Sequence, residues 1–146
     1  MNDLQEYFDA VIAEIKARPA LEEITFINHF SGKKLPSPLK GCVAAVGVGQ
    51  VEKNSAYLCE RKPGSVAVNE LCAVLEISVY CNISEGGRKI TENAIKIANA
   101  IEASEFKNSI GTIKITPVAF DNQANAIFRT VQAEFLLLQD IVEVWQ

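Results

Sequence analysis

The sequence predicts an α+β fold, a mixed, mainly antiparallel sheet with two helices packed on one side. Three observations carry that reading. Residues 71–82 alternate, with Leu71, Ala73, Leu75, Ile77, Val79 and Cys81 on one face and Cys72, Val74, Glu76, Ser78, Tyr80 and Asn82 on the other. A period of two is that of a strand with one fully apolar face. Ile90, Ala94, Ile97, Ala98 and Ile101 then form one helical stripe. The same offsets recur near the N-terminus in Leu4, Phe8, Val11, Ile12 and Ile15. Each helix therefore has a single apolar face and should lie on a sheet rather than be buried all round.

A chain of 146 residues with 49% apolar and 22% charged side chains is expected to form one domain, residues 1–146. Folding at that length buries roughly two-thirds of the surface that the unfolded chain exposes. Taken in order, residues 3–18 read as a helix, with Asn2 and Gln5 as a capping box and Pro19 as its stop. Residues 24–28 read as a short strand. Pro36 and Pro38 stiffen an extended loop over residues 31–40 that carries Lys33, Lys34 and Lys40. A strand follows over 42–52, and Gly47 and Gly49 on one of its faces suggest close packing or a bulge.

Residues 53–69 show little periodicity and carry Arg61, Lys62, Pro63 and Gly64, so they read as an excursion. The second helix is expected after Ser84 as N-cap, with Gly86 and Gly87 each weakening its first turn by about 1 kcal/mol. Two further strands, 112–120 and 126–138, are joined by the polar turn 121–125. The connection from 71–82 through the helix to 112–120 suits a crossover between parallel strands. The tail, residues 139–146, carries Ile141, Val142, Val144 and Trp145 among acids, a composition expected to dock either on its own domain or on a neighbour.

The net charge of −4 argues against nonspecific nucleic-acid binding, but its distribution is uneven. Residues 1–23 hold Asp3, Glu6, Asp9, Glu14, Glu22 and Glu23 against Lys16 and Arg18. Residues 29–62 hold Lys33, Lys34, Lys40, Lys53, Arg61 and Lys62 against Glu52 and Glu60. That split suits head-to-tail contact between like subunits or a basic loop meeting an acidic partner, weighed against plain solvated loops. Cysteines at 42, 59, 72 and 81 form no C-x-x-C pair, and three lie in apolar strand patterns, which reads as buried free thiols in a reducing cytoplasm. Neither a signal peptide nor a membrane span is expected.

The motifs that would carry chemistry are incomplete. Gly47-Val48-Gly49 lacks the third glycine of a dinucleotide loop, since position 52 is Glu52. Gly32-Lys33 lacks the earlier glycine of a phosphate loop, and Lys34 stands where Ser or Thr would bind magnesium. His29 is the one histidine, too few for a zinc site. A Cys–His pair needs only to meet in space, but nothing in the spacing points to one. Gly86-Gly87-Arg88-Lys89 opens a helix and is an anion-site candidate weighed against two solvated cations. Glu70, Glu76 and Glu134 sit on strands, with no sign that any two share a cleft. No catalytic, cofactor-binding or metal-binding residue is assigned, and no enzyme activity is expected.

The order of elements resembles that of small tail-completion or tail-terminator proteins of long-tailed bacteriophages and prophages. The matching stretches are the acidic first helix, Leu35-Pro36-Ser37-Pro38, strands 42–51 and 71–82, the helix through Ile101, and the hairpin around 121–125. The resemblance implies a structural virion-assembly protein without cofactor. It implies a homo-oligomeric ring, commonly of six subunits, at the tail end that joins the head. Its partners would be its own copies and other tail or neck proteins, with neither membrane nor sequence-specific nucleic acid, in the host cytoplasm during assembly and then in the virion. The expected contact residues are Lys33, Lys34, Lys40, Arg61 and Lys62 on one surface, Asp3, Glu6, Asp9 and Glu14 on the facing one, and Val144 and Trp145 as apolar anchors. The rival reading is a small α+β ligand-binding or enzymatic domain with its site between sheet and helices.

Overall fold

A computed structural model describes residues 4–28, 41–57, 67–122 and 125–141. The first helix, α1 (Leu4–Lys16), leads into a short 3-10 turn that begins at Pro19. Strands β1 (Ile24–Asn28), β2 (Cys42–Tyr57) and β3 (Ala67–Asn82) follow, then α2 (Gly86–Glu102) and strands β4 (Ile110–Ile115), β5 (Ala119–Asp121) and β6 (Ala126–Ile141). The sheet order is β1-β2-β3-β6-β4, with β5 also on β6. Only β1 and β2 pair in parallel; β2–β3, β3–β6, β4–β6 and β5–β6 are antiparallel. Because β3 and β4 both run against β6, they run with each other, and the last strand is inserted between them. The predicted α+β class holds.

Both helices pack on one face of this sheet. Phe8, Val11 and Ile15 of α1 and Ile90, Ala94, Ile97 and Ile101 of α2 share one buried core with Leu71, Ala73, Leu75, Ile77 and Val79 of β3 and Val131, Ala133 and Phe135 of β6. The turn after α2 is tied to α1 by polar contacts. The Glu14 carboxylate accepts the Glu105 backbone N–H at 3.1 and 3.2 Å, and Arg18 Nη2 donates to the Ala103 carbonyl at 3.1 Å.

Several element boundaries differ from the sequence reading. The excursion expected over 53–69 is strand at both its ends, 53–57 and 67–69, while 58–66 lie outside the described residues. Lys53↔Leu71 through Tyr57↔Ala67 continue the β2–β3 ladder, and Glu70↔Leu138 through Ala67↔Ile141 continue β3–β6. The first residues of the expected tail therefore belong to β6. Strands β2, β3 and β6 have 16 residues each, about 50 Å at roughly 3.3 Å per residue. At 1.5 Å per residue the 17-residue α2 spans about 25 Å, so the three strands run on past the helix.

The single strand expected over 112–120 is two, β4 and β5, separated at Pro117, which has no N–H for the ladder and sits on the outer edge as its chemistry requires. The break is held by Thr116, whose N–H donates to the Thr130 carbonyl at 2.9 Å and whose Oγ1 accepts the Thr130 N–H at 2.9 Å. Arg129 Nη1 donates to the Thr116 carbonyl at 3.1 Å. The turn into β6 uses Asn125 at φ 50°, a conformation that Asn tolerates better than most residues.

Ser84 is not the cap of α2. Asn82 Oδ1 accepts the Ser84 N–H at 3.0 Å, and a 3-10 turn, Ile83–Glu85, comes first. Gly86 then stands at φ 75°, where a side chain would be strained, so this glycine joins the two helical segments. At the other end, Gln5 Nε2 donates to Asp9 Oδ1 at 2.9 Å, while Asn2 lies outside the described residues.

The cysteine expectation is overturned. Cys42 and Cys81 form a disulfide across the β2–β3 ladder, with Cα atoms 4.9 Å apart. The register that sets Val43 opposite Tyr80 brings the two sulfurs together, so these are not free thiols. Cys72 is half-buried on the opposite face, and Cys59 lies outside the described residues.

Candidate assembly surface

Among the described residues, the second face of the sheet carries no helix. Residues that alternate with the core point there: Val74, Glu76, Ser78 and Tyr80 on β3, Phe128, Thr130, Gln132, Glu134 and Leu136 on β6, and Thr112 and Lys114 on β4. The registers Glu76↔Gln132, Gln132↔Lys114 and Val74↔Glu134 order them into cross-strand rows. Leu136 is exposed on this face.

The middle of this face is an acidic cleft of about 260 Å³ lined by Gln50, Val74, Glu76, Thr112, Lys114, Gln132 and Glu134. Its two carboxylates each lie against a glycine. A Cβ on Gly49 would come 2.7 Å from Glu76 Cδ, and one on Gly111 would come 2.6 Å from Glu134 Oε1. Gly49 belongs to a β-bulge between Val48 and Val51, the feature that the small residues of β2 anticipated. Gln132 Nε2 donates to Glu76 Oε2 at 3.1 Å and fixes that carboxylate in place. The sequence offered no sign that Glu76 and Glu134 share a cleft; the β3–β6 register makes them diagonal neighbours.

Toward the disulfide end, polarity falls. Ser78 Oγ and Thr130 Oγ1 share a hydrogen bond of 2.9 Å. Beyond them Tyr80 and Phe128 stack at 4.8 Å beside Val43, Ala45 and Ala126. Burial, and secondarily the Asp121 carboxylate, hold the Tyr80 phenol above its ordinary value of about 10. A raised phenol means that the fold favours the protonated form. The associated stability is full below about pH 10 and is lost as pH rises through the folded-state value. Tyr80→Phe should therefore flatten the alkaline side of the stability–pH curve while leaving neutral pH almost unchanged, as checked by urea melts between neutral and strongly alkaline pH.

Of the expected contact residues, Glu6 and Asp9 are exposed on α1. Asp9 lines a second groove of about 270 Å³ with Ile12, Lys16, Phe26 and Val46. Glu14 is occupied inside the fold by Glu105. Asp3, Lys33, Lys34, Lys40, Arg61, Lys62, Val144 and Trp145 lie outside the described residues, as does His29.

Arg88 pairs with Glu92 at 3.1 Å on the exposed surface of α2. Among the described residues no group of three or more His, Cys, Asp or Glu side chains is placed to hold a metal ion. None of their helices is long and apolar enough to cross a membrane. Between sheet and helices the space is filled by buried apolar side chains. No protein-family model matches the chain, and no curated protein is significantly similar to it in sequence.

Proposed function

We propose that the protein is a structural assembly protein of a long-tailed phage or prophage, a self-associating ring component at the tail end that joins the head. The observation that carries this reading is the helix-free face of the sheet, with an acidic cleft at its centre. A sheet whose second face carries no helix among the described residues, with carboxylates fixed in its middle and exposed Leu136 beside them, is suited to meeting another surface. The chain carries its own complement, because the excess of basic residues lies in 29–62. A basic segment of one copy against the acidic face of the next is a heterologous contact, the kind that closes into a ring when the rotation allows. The resemblance of the element order to that of tail-terminator proteins supports the same reading, and so does the extension of β2, β3 and β6 past the helix, which would supply an arm for a neighbour.

Charge pairs of this kind contribute only about 0–1 kcal/mol each when exposed, so their role is register and encounter, with apolar contact supplying affinity. Reversing Glu76 and Glu134 together to Lys should weaken self-association about tenfold or more while the circular dichroism spectrum keeps its native form. If variant and wild type sediment as the same species at concentrations where the wild type associates, the open face is not the contact surface.

Two carboxylates sharing one cleft beside Lys114 favour a second reading, a ligand-binding or enzymatic domain, with its site on the open face rather than beneath the helices. Under that reading Glu76→Gln abolishes binding of a small cationic ligand and leaves sedimentation unchanged.

A further inference from the structure

We propose that the Cys42–Cys81 disulfide is a thiol-exchange site, opened at Cys42 by a small anionic thiol. The two sulfurs differ in their surroundings. Cys81 is 0% exposed, whereas Cys42 is 3% exposed and belongs to the lining of a surface cleft of about 110 Å³. That cleft is also lined by Glu23, Lys89, Asn93 and Lys96. Lys89, Asn93 and Lys96 stand at i, i+4 and i+7 on α2, so one helix face presents two ammonium groups and an amide to the sulfur end of β2. Among the described lining residues Glu23 is the one acid, beside two lysines. A negatively charged thiol is drawn in and its thiolate form is favoured.

Asn93 supplies the second observation. Its side chain is 7% exposed, and Nδ2 donates to Cys42 Sγ at 2.9 Å. A disulfide sulfur is a weak acceptor, whereas a thiolate accepts a charge-assisted bond. The buried amide is therefore better satisfied when Cys42 is a thiolate, so it assists the second step, in which Cys42 leaves the mixed disulfide, and stabilises the fully reduced product.

The exchange balances without any group from the protein. An incoming thiolate attacks Cys42 Sγ and forms the new sulfur–sulfur bond. The Cys42–Cys81 bond breaks with its electron pair on Cys81 Sγ, which takes a proton. A second thiol then attacks the mixed disulfide and frees Cys42. Two small thiols are oxidised to one small disulfide as the protein bridge is reduced to two thiols.

Two single substitutions test the asymmetry, each read by peptide mapping at the remaining member of the pair. Cys81→Ser leaves Cys42 at the cleft, and Cys42→Ser leaves Cys81 in the core. With oxidised glutathione as probe, Cys81→Ser should form its mixed disulfide at least about tenfold faster than Cys42→Ser, read by intact mass and peptide mapping. Lys89→Gln with Lys96→Gln, built on Cys81→Ser, should remove most of that advantage for oxidised glutathione and little of it for uncharged 2-hydroxyethyl disulfide. The wild-type chain is measured alongside, so the answer does not depend on the variants folding. Reduced glutathione under native conditions should yield the adduct on Cys42. An adduct on Cys81, equal rates in the two variants, or a wild-type bridge that opens only when the whole chain unfolds would each overturn the proposal.

Discussion

Replacing Phe135 with Ala lowers the stability of the fold by about 3–5 kcal/mol, the range for removing a fully buried aromatic ring. Phe135 sits at the centre of β6 and is fully buried. Its ring meets Phe8 edge-on at 5.5 Å and Tyr7 at 5.8 Å, and Tyr7 in turn meets Phe106 at 5.1 Å. Four rings thus join α1, the turn after α2 and the last strand. Their edge-to-face geometry adds to the area buried, at about 0.5–1.5 kcal/mol per pair. For a chain of this length the change corresponds to a fall in Tm of roughly 8–16 °C. Leu136→Ala one residue along is the control, because Leu136 points to the open face and is exposed. Equal melting of Phe135→Ala and Leu136→Ala would contradict the placement of the core.

Opening the disulfide is the second large effect. The bridge closes a loop across a sequence separation of 39 residues, for which the chain-entropy relation gives about 4 kcal/mol. Reduction, or Cys81→Ser, should lower Tm by an amount similar to that of Phe135→Ala, since neither the core stripe nor the Asn93 contact needs the bridge in order to form. Calorimetry with and without a dithiol reductant measures it. A Tm unchanged by reductant would mean that the sulfurs are unlinked in solution.

The helices and the centre of the sheet could be read from residue types because burial has a period. Phe8, Val11 and Ile15, and Ile90, Ala94, Ile97 and Ile101, had to share a face once the backbone was helical. The same logic placed Leu71 to Cys81 along one side of β3. Residues 53–57 and 67–69 escaped it because backbone hydrogen bonds extend the ladder there, and a hydrophobic pattern does not record them. The break at Pro117 was read through as one strand over 112–120, because whether an edge strand continues past a proline depends on the partner, here Thr130.

Both features that define the chemistry of this fold are matters of register. Cys42 and Cys81 meet because Val43 faces Tyr80, and Glu76 and Glu134 share a cleft because Glu76 faces Gln132. A slip of one residue would have sent each side chain to the other face. Nothing local in the sequence sets that alignment, so neither the bridge nor the acidic cleft had a motif to announce it. Gly49 and Gly111 were the available clues. Each glycine leaves room for a carboxylate on the neighbouring strand, but that meaning emerges only once the neighbour is known.

Self-association into a closed ring is the central claim, and sedimentation velocity of the full chain over about a hundredfold range of concentration tests it most directly. A heterologous contact that closes by rotation gives one discrete species of fixed subunit number, six in the proteins whose element order this chain resembles, with no larger species as concentration rises. Negative-stain images of that species should show a ring with a central opening. A monomer at every concentration, or an open-ended series that lengthens with concentration, would contradict the account.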